Sequence, residues 1–554
     1  MSLKLRQWQR EALDKAIDWL TTRRTDRHFL INAAPGAGKT LAACAIAQKL
    51  IQSDEIDRVV VIGPRSEVVS QWSNDFRWVT GRHMSKVTGA DGDIDALEID
   101  VCATWSAIQN LLPELQAMSR ACRVLVICDE HHHAAVEAAW GSSADSAFAD
   151  ATFALILTGT PIRSDGNEAV WLAYDDTGAI DHPEGGTYTL TYGEAVDLGY
   201  CRPVTFHRHE GKFSIELAGG RSVHVSGHRE ADIPSGLRRV PGLKTALDFY
   251  RLARTPQFRS DGVTPLETGY QSTMLECGSQ KLTDLRHRMP NAGGLVIAPT
   301  IEMAEYMVRL IESIEGERPM IVHSQMPNPN NRIKAFRNTN KRWLVSVAMV
   351  SEGVDIKRLR VLVHLPNALT ELAFRQAVGR VVRTAGPDDD TRAYVVMPSF
   401  ETFEIYARRI EEEMSPAARA QSDRPRKKRC PSCGAEHDLH ETVCCGCGCE
   451  FPIAPERTKA CADCSALNPV QARDCHSCGE KFGHDFKLSL DEALRTGAIV
   501  RGMDIEEVEV QEAETMAPRV RSLMLRSGDH RLVKIVQTLP DESWARLKTI
   551  LEAE

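Results

Sequence analysis

The amino-acid sequence predicts an α/β protein with two parallel-sheet domains in tandem, followed by small cysteine-rich modules and a helical C-terminal segment. Two observations support this prediction. Short apolar runs alternate with amphipathic helical patterns in two separate regions, which is typical of parallel sheets covered by helices. Ten of the sixteen cysteines lie between Cys430 and Cys478, and clustered Cys-x-x-Cys pairs in a large intracellular protein indicate metal binding rather than disulfides.

The two α/β regions are residues 1–200 and 286–412. In the first, the predicted strands are residues 29–32, 59–62, 101–103, 124–128 and 154–157, with helical patterns at 41–51 and 67–79. In the second, the predicted strands are residues 295–298, 320–323, 344–347, 361–365 and 393–396, with helical patterns at 303–315 and 369–378. Residues 201–285 have mixed polar patterning and are interpreted as an insertion or a connecting segment.

Charge and hydropathy restrict the class of protein. The 554 residues carry a net charge of −9, so global charge does not indicate a nucleic-acid partner, and any such surface must be local. The N-terminal residues lack the apolar stretch of a signal peptide. No apolar run reaches the roughly 20 residues that a membrane span requires. We therefore expect a cytoplasmic protein without a membrane partner.

A phosphate-binding loop is predicted where the first apolar strand meets a helix. Its residues are Ala33, Ala34, Pro35, Gly36, Ala37, Gly38, Lys39 and Thr40. Glycines let backbone N–H groups approach phosphate, and the helix N-terminus adds a favourable dipole. We expect this loop to bind ATP, with Lys39 at the β- and γ-phosphates and Thr40 at Mg²⁺. A chance Gly-Lys-Thr turn is disfavoured by the strand–loop–helix setting.

Two carboxylates follow another strongly apolar strand, about 90 residues after the loop. Asp129 is expected to hold Mg²⁺, and Glu130 to orient and deprotonate the attacking water. The three consecutive histidines at 131–133 suggest a metal site. Successive residues of a helix point about 100° apart, however, so they do not share one ion readily.

These motifs resemble those of superfamily 2 DExH-box helicases, in the XPB, RadD and type III restriction-like branch. Residues 5–9 resemble the upstream adenine-recognition element, 33–40 motif I, 129–132 motif II, 158–161 motif III, 351–355 motif V and 376–383 motif VI. The resemblance covers residues 3–400 and follows the family's motif order. Motif III departs from many relatives, because Gly159 stands where they carry alanine.

The resemblance implies two RecA-like domains with ATP between them. Gln9 would read adenine, and Gly353 and Asp355 of motif V would contribute to the nucleotide site. Gln376, Arg380 and Arg383 of motif VI would act from the second domain, the arginines on the γ-phosphate. The implied activity is that of an ATP-dependent nucleic-acid helicase or translocase, on DNA by resemblance. The alternative is an ATP-gated recognition or remodelling switch that signals to a partner without unwinding.

The cysteine-rich region contains a tandem repeat of 31 residues. Its thiolates are Cys430, Cys433, Cys444 and Cys447 in one set and Cys461, Cys464, Cys475 and Cys478 in the other. Four thiolates suit tetrahedral Zn²⁺, so residues 430–482 are predicted to be two zinc ribbons holding two zinc ions. Cys445 and Cys449 leave the ligand choice of the first ribbon open.

The segments around these ribbons are assigned more coarsely. Residues 413–429 form a predicted basic linker, and residues 483–554 form the helical C-terminal segment. The ribbons could grip nucleic acid, and they or the C-terminal segment could dock a protein partner. The sequence leaves both readings open.

Overall fold

The structure of the protein, a computed structural model, describes part of the chain. The described residues are 4–88, 100–131, 138–159, 171–174, 180–216, 222–227, 248–327, 329–347, 356–386, 389, 391–420, 428–430, 432–438, 441–451, 458–460, 466–469, 475–479 and 485–489.

The first domain is built on a seven-stranded sheet with the strand order β3-β4-β2-β5-β6-β1-β9, in which all strand pairs are parallel. Its strands are β1 (His28–Ala33), β2 (Arg58–Gly63), β3 (Met84–Val87), β4 (Asp100–Thr104), β5 (Val124–Cys128), β6 (Phe153–Thr158) and β9 (Thr187–Leu190). Two further strands, β7 (Ala173–Tyr174) and β8 (Ile180–Asp181), pair antiparallel in a separate two-stranded sheet. Its helices are α1 (Gln7–Ile17), α2 (Lys39–Gln52), α3 (Ser66–Thr80), α4 (Trp105–Ile108), α5 (Leu112–Ala121), α6 (Ala138–Ala147) and α7 (Tyr192–Asp197).

The second domain is built on a six-stranded parallel sheet with the order β10-β17-β16-β13-β15-β14. In chain order, its strands and the hairpin β11–β12 are β10 (Val204–His209), β11 (Lys212–Glu216), β12 (Ser222–Ser226), β13 (Gly293–Ala298), β14 (Met320–Val322), β15 (Trp343–Val347), β16 (Leu359–His364) and β17 (Ala393–Pro398). Its helices are α8 (Phe249–Ala253), α9 (Tyr270–Arg288), α10 (Ile301–Glu315), α11 (Pro329–Arg337), α12 (Glu371–Val378), α13 (Glu401–Glu413) and α14 (Pro416–Ala420).

The ten strands predicted from apolar runs are all present, with ends within two residues of the prediction. β5 and β6 show why, because every residue in them is buried, as expected for strands covered on both faces. Two tandem parallel-sheet α/β domains are therefore confirmed. None of the described helices has both the length and the apolar character that crossing a bilayer requires.

The described residues of the segment 201–285, which the sequence analysis interprets as an insertion or a connecting segment, belong to the second domain's architecture. β10 adds an edge strand parallel to β17, and α9 packs across β16 and β17. The hairpin β11–β12 is joined by β22 (Asp485–Ser489), which pairs parallel to β11. Five residues of the predicted helical C-terminal segment thus form a strand.

Aromatic packing explains why β22 returns to the second domain. The Phe486 ring is 5% exposed and lies 5.6 Å from Phe213 and 5.4 Å from Tyr270, between ring centroids. Burying an aromatic ring of this size is a large stabilising contribution. The chain therefore leaves the second domain, passes through the cysteine repeat and contacts the same domain again.

The start of the predicted basic linker is structured. α14 covers Pro416–Ala420, and Met414 and Ala418 are buried. The guanidinium of buried Arg392 donates a hydrogen bond of 2.6 Å to Ala418 O. The chain thus packs against the second domain up to α14, because apolar side chains inside the polar stretch bind it there. The basic residues 424–427 lie outside the described residues.

Candidate functional site

The predicted phosphate-binding loop connects β1 to α2. β1 ends at Ala33 and α2 begins at Lys39, with Thr40 in its first turn. Gly36 and Gly38 have φ angles of +82° and +97°, a region in which glycine is strongly favoured. The Lys39 ammonium donates a hydrogen bond of 2.9 Å to Ala33 O. The loop therefore has the shape and the helix N-terminus that phosphate recognition requires.

The upstream element holds this loop by its carbonyl groups. Arg6 Nη1 donates to Ala37 O at 2.8 Å, and the Trp8 indole donates to the same oxygen at 3.2 Å. Gln9 Nε2 donates to Gly38 O at 2.9 Å, while its Oε1 accepts from Arg6 N at 2.8 Å. Trp8 and Gln9 are both buried. Gln9, which is predicted to bind adenine, therefore lies beside the loop, and these two hydrogen bonds of its side chain are to backbone atoms.

Gly159 of motif III lies directly against the loop lysine. A Cβ atom at Gly159 would lie 2.8 Å from Lys39 Nζ and 3.5 Å from Ala33 O. An alanine methyl group at this position would require a small shift of the flexible end of the Lys39 side chain, so residue 159 lies within contact distance of the loop lysine.

Asp129 follows β5 and is fixed by two hydrogen bonds. Its backbone N–H donates to Ile62 O at 2.9 Å, and its Oδ2 accepts from the Trp72 indole at 2.7 Å. Burial raises the pKa of Asp129, the Glu130 carboxylate raises it further, and the Trp72 N–H and the Lys39 ammonium lower it. The carboxylate is thus buried, oriented and electrostatically coupled to the loop.

Glu130 has an unusual backbone conformation. Its φ angle is +49°, which is uncommon for residues other than glycine and costs of order 1–3 kcal/mol. The next residue restrains it, since His131 N donates to Leu157 O at 3.2 Å on the neighbouring strand. This turn places the consecutive carboxylates of Asp129 and Glu130 at the carboxyl end of β5.

Motif VI of the second domain contacts the phosphate-binding loop. A Cβ atom at Gly36 would lie 2.8 Å from Cγ of Arg383, and one at Gly379 would lie 2.8 Å from Cβ of Pro35. Cys201 forms an isolated antiparallel bridge with Arg383, and its thiol donates to Pro35 O at 3.3 Å. The loop and motif VI are therefore in van der Waals contact, with glycine at both close approaches.

The other predicted motif VI residues lie on the same segment. Gln376 is in α12 and is half-buried, and Arg380 follows the end of this helix and is buried. The structure thus brings Gln376, Arg380 and Arg383 together on one helix end and turn.

A buried ion-pair network fixes the chain next to motif VI. Arg202 Nη2 and Arg360 Nη2 lie 2.6 and 2.9 Å from Asp389 Oδ2. Backbone N–H of Arg202 donates to Val382 O at 2.6 Å, beside Arg383. Burial alone would raise the pKa of Asp389, but the charges of Arg360 and Arg202 hold it well below its usual range.

Several predicted site residues lie outside the described residues. They are Gly353 and Asp355 of motif V, Thr160 and Pro161 of motif III, His132 and His133 of the histidine run, and Cys461 and Cys464 of the second ribbon.

The first four predicted zinc ligands converge. The Sγ atoms of Cys430, Cys433, Cys444 and Cys447 all lie within 4.8 Å of one another, and the pairs 430–447 and 433–444 are 3.5 Å apart. A tetrahedron with Zn–S bonds of about 2.3 Å has sulfur–sulfur edges of about 3.8 Å. The four thiols therefore fit a Zn²⁺ ion in both number and spacing.

The sequence repeat of 31 residues is also a structural repeat. β18 (Lys428–Arg429) and β19 (Glu436–His437) pair antiparallel, and β20 (Thr458–Ala460) and β21 (Leu467–Pro469) pair in the same register 31 positions later. The turns correspond too. Gly448 N donates to Cys444 O, and Gly479 N donates to Cys475 O, each at 2.9 Å. We call these turns, residues 444–448 and 475–479, the knuckles of the two modules. The described part of the second module thus has the same hairpin and the same knuckle as the first.

The two extra cysteines of the first module do not join its cluster. Cys445 Sγ lies 3.9 Å from Nδ1 of the buried His437, and Cys449 contacts the Glu450 carbonyl. In the second module, His437 and Cys445 are replaced by Asn468 and His476, whose side chains lie 2.8 Å apart. Cys445 and its counterpart His476 therefore both contact the hairpin of their own module, and Cys445 lies outside the four-thiol cluster of the first module.

Comparison with protein families gives two matches in the order of the two domains. Residues 2–163 match the model for type III restriction enzyme, res subunit, and residues 279–385 match the helicase conserved C-terminal domain. With the tandem parallel sheets and the motif I and VI contact, these matches define the class: the chain contains a res-subunit domain followed by a helicase C-terminal domain, which is consistent with superfamily 2 of the helicases and its restriction-like branch.

The curated relatives are longer than this chain. Uncharacterized protein Rv2917 of Mycobacterium tuberculosis is 32% identical over 393 residues, which cover 71% of this chain and 61% of the relative. The type I restriction enzyme EcoAI endonuclease subunit of Escherichia coli is 24% identical over 394 residues, which cover 68% of this chain and 44% of the relative. The chain therefore spans about three fifths or less of their lengths.

Among solved structures, the ATP-dependent type ISP restriction-modification enzyme LlaBIII bound to DNA is similar with a TM-score of 0.46. It is 17% identical, and the match covers 72% of this chain and 28% of that one.

Three residues support the candidate site in ways that the sequence does not predict. No role for Trp72 follows from the sequence, although its indole donates a hydrogen bond to the carboxylate expected to hold the metal. The pairing of Arg202 with Asp389 does not follow from the sequence either, because the two residues are 187 positions apart and neither has a local signal that they meet. A buried aspartate between two arginines becomes visible only in three dimensions.

Proposed function

We propose that this chain is an ATP-dependent DNA translocase or helicase whose hydrolysis step is completed by arginines of the second domain. The observation that carries this proposal is the packing of Arg383 against Gly36 of the phosphate-binding loop. An arginine placed across a domain interface stabilises the charge of phosphoryl transfer and is worth about 10³–10⁵ in rate. Because it comes from the other domain, hydrolysis depends on domain closure.

On the first domain, we assign the nucleotide-binding and water-activating groups. Lys39 and the backbone of residues 33–40 would hold the phosphates, and Gln9 would contact adenine. Thr40 and Asp129 would hold Mg²⁺, which when bound neutralises charge on the β- and γ-phosphates. Glu130 would orient the attacking water and accept its proton. The buried position of Asp129 and the loop geometry around Lys39 support these assignments.

On the second domain, we assign the groups that respond to closure. Arg380 and Arg383 would contact the γ-phosphate, and Gln376 would lie behind them. Gly353 and Asp355 would complete the nucleotide site, a role that rests on the family resemblance alone. Nucleic acid lying across both domains would be gripped and released as the domains close and open.

We further propose that the two cysteine modules bind one Zn²⁺ each. The convergence of four thiols in the first module and the matching knuckle of the second support this. Modules of about 20 residues cannot build a core of their own, so the metal would supply their folding free energy. They would contribute either to nucleic-acid binding or to the docking of a protein partner.

The test is the ATPase rate of the full chain with single-stranded and double-stranded DNA and RNA, measured over a salt series. We expect stimulation by DNA that weakens as salt rises, because phosphate contacts release counterions. DNA is proposed because the matched model describes a restriction-enzyme subunit. Equal rates with and without every nucleic acid would overturn the proposal.

A strand-displacement assay beside the ATPase assay separates the motor from the alternative switch. A motor couples each round of hydrolysis to movement, so it displaces an annealed strand or a protein block from DNA. A switch binds DNA and hydrolyses ATP without either displacement. Stimulated hydrolysis without displacement of a strand or a block would therefore favour the ATP-gated switch.

A further inference from the structure

A second group of metal-ligating side chains lies outside the cysteine repeat. His207 and His209 belong to β10, and Cys277 belongs to α9, which packs beside that edge of the second sheet. One ligand atom from each of the three residues lies within 4.8 Å of the other two. The sequence predicts zinc ligands only among the clustered cysteines, so this group is a separate observation.

The strand geometry places both histidines on one face. Residues two positions apart in a β-strand point the same way, and the His207 and His209 ring centroids are 5.9 Å apart. His209 is buried, Cys277 is half-buried and His207 is exposed. The group thus extends from the protein interior to the surface, where an ion can enter.

The hydrogen bonds of Thr273 determine which nitrogen of His209 faces the cysteine. Thr273 Oγ1 donates its single proton to Tyr270 O at 3.0 Å, so it accepts the hydrogen bond of 2.9 Å from His209 Nε2. The proton of the neutral ring is then on Nε2. The unprotonated Nδ1 lies 4.0 Å from Cys277 Sγ. Metal-binding histidines are commonly oriented by such a bond through their other nitrogen.

The chemistry of the donors selects the ion. Two imidazole nitrogens and one thiolate suit Zn²⁺, with bonds of about 2.0–2.3 Å. Ligand atoms in such a shell are about 3.3–3.8 Å apart, so the group needs to contract by about 1 Å, which the exposed His207 side chain can provide by rotation. Lys281 and Glu210, which carry opposite charges, are the charged neighbours that act on His207.

We propose that His207, His209 and Cys277 form a third zinc site, which fastens the edge strand β10 to α9. Three protein ligands leave one position of a tetrahedral shell for water. β10 begins three residues after Cys201, which contacts the phosphate-binding loop and bridges Arg383. Zinc at this site would therefore stiffen the strand that leads away from the domain interface.

The test is the zinc content of the full chain after dialysis against a series of buffered free Zn²⁺ concentrations. His207→Ala and Cys277→Ser should each bind one zinc fewer per chain than the wild type. His224→Ala and Cys122→Ser are the matched controls, because both residues lie outside the group, and they should retain the wild-type content. The difference between proteins is the readout, so the zinc of the cysteine modules does not affect the result.

Cobalt gives a second, spectroscopic readout. Co²⁺ bound to Cys277 should show a thiolate-to-cobalt charge-transfer absorption that His207→Ala weakens by one equivalent, and combination with Cys444→Ser should give an additive loss. His207 is exposed, so its substitution leaves the core packing intact. Equal zinc contents of His207→Ala and the wild type at every free Zn²⁺ concentration would overturn the proposal.

Discussion

The indole N–H of Trp72 donates a hydrogen bond of 2.7 Å to Oδ2 of Asp129, although 57 positions separate the two residues. Both side chains are buried. Burial raises the pKa of Asp129, and the Trp72 hydrogen bond is among the contacts that lower it. Trp72 therefore keeps a carboxylate ionised in a setting that favours the protonated form, and the ionised form is the one that can hold Mg²⁺.

We predict that Trp72→Phe shifts the acid limb of the ATPase pH profile to higher pH. Without the N–H, the pKa of Asp129 rises further, so the carboxylate is lost at a higher pH as the pH falls. A hydrogen bond to a charged group contributes about 1.5–3 kcal/mol, which corresponds to a shift of about one pH unit or more. The measurement is the ATPase rate against pH at saturating Mg·ATP. Trp78→Phe, which alters an exposed tryptophan of the same helix, is the control, and coincident acid limbs would refute the role.

Glu130→Gln should bind ATP and nucleic acid but hydrolyse ATP about 10²–10⁴-fold more slowly, because the amide cannot accept the proton of the attacking water. Binding is measured with a fluorescent nucleotide, and turnover by phosphate release. Glu55→Gln, at an ion pair away from the loop, should leave both unchanged. Near-normal turnover of Glu130→Gln would move the role of general base to another group.

The apolar strands were predictable because burial on both faces leaves a simple sequence signal. β5 reads Val-Leu-Val-Ile-Cys and is buried throughout, so its pattern survives without knowledge of its neighbours. β10 mixes buried, half-buried and exposed side chains and includes two histidines. Its place at the sheet edge follows from pairing with β17, which comes from a part of the chain almost 190 residues later and leaves no local signal.

The candidate site divides in the same way. Loop residues such as Lys39 and the carboxylates at 129 and 130 follow from local spacing, and the cysteine repeat follows from its 31-residue period. The Trp72 hydrogen bond, the Arg202–Asp389 pair and the His209–Cys277 contact are all long-range. They depend on which strand ends and helices meet, and a single sequence contains no direct record of that.

Arg383→Ala should bind ATP but lose the stimulation of hydrolysis by nucleic acid, because the charge that crosses the domain interface is removed. The measurement is the ATPase rate with and without DNA at saturating ATP. Arg318→Ala, which alters an exposed ion pair of the second domain, is the control. If stimulation survives in Arg383→Ala, the role passes to Arg380, and Arg380→Ala should then abolish it.

Asp389→Ala should destabilise the second domain by about 3–5 kcal/mol, because it leaves two buried guanidinium groups without their carboxylate. The folded-state pKa of Asp389 is lowered, so its stabilisation is present above the unfolded pKa of about 3.9 and is lost as the pH falls below it. Thermal or urea unfolding should show the full difference at neutral pH and a shrinking one in acid. Asp150→Ala, at an exposed pair with Arg120, should cost about 0–1 kcal/mol. Equal losses in both variants would contradict the network.

Cys444→Ser should release one zinc per chain, whereas Cys445→Ser should retain it. The two residues are adjacent, but Cys444 Sγ lies in the four-thiol cluster and Cys445 Sγ lies beside His437. Removing one of four thiolates opens the tetrahedral shell, which lowers the affinity for zinc and the stability of the module that folds around it. Elemental analysis after dialysis against a mild chelator measures the difference, and resistance of residues 430–451 to proteolysis should follow the zinc. Because the comparison is between neighbouring cysteines of one module, zinc bound elsewhere cancels. Loss of zinc from Cys445→Ser with retention in Cys444→Ser would mean that the ligand set is displaced by one residue from the repeat.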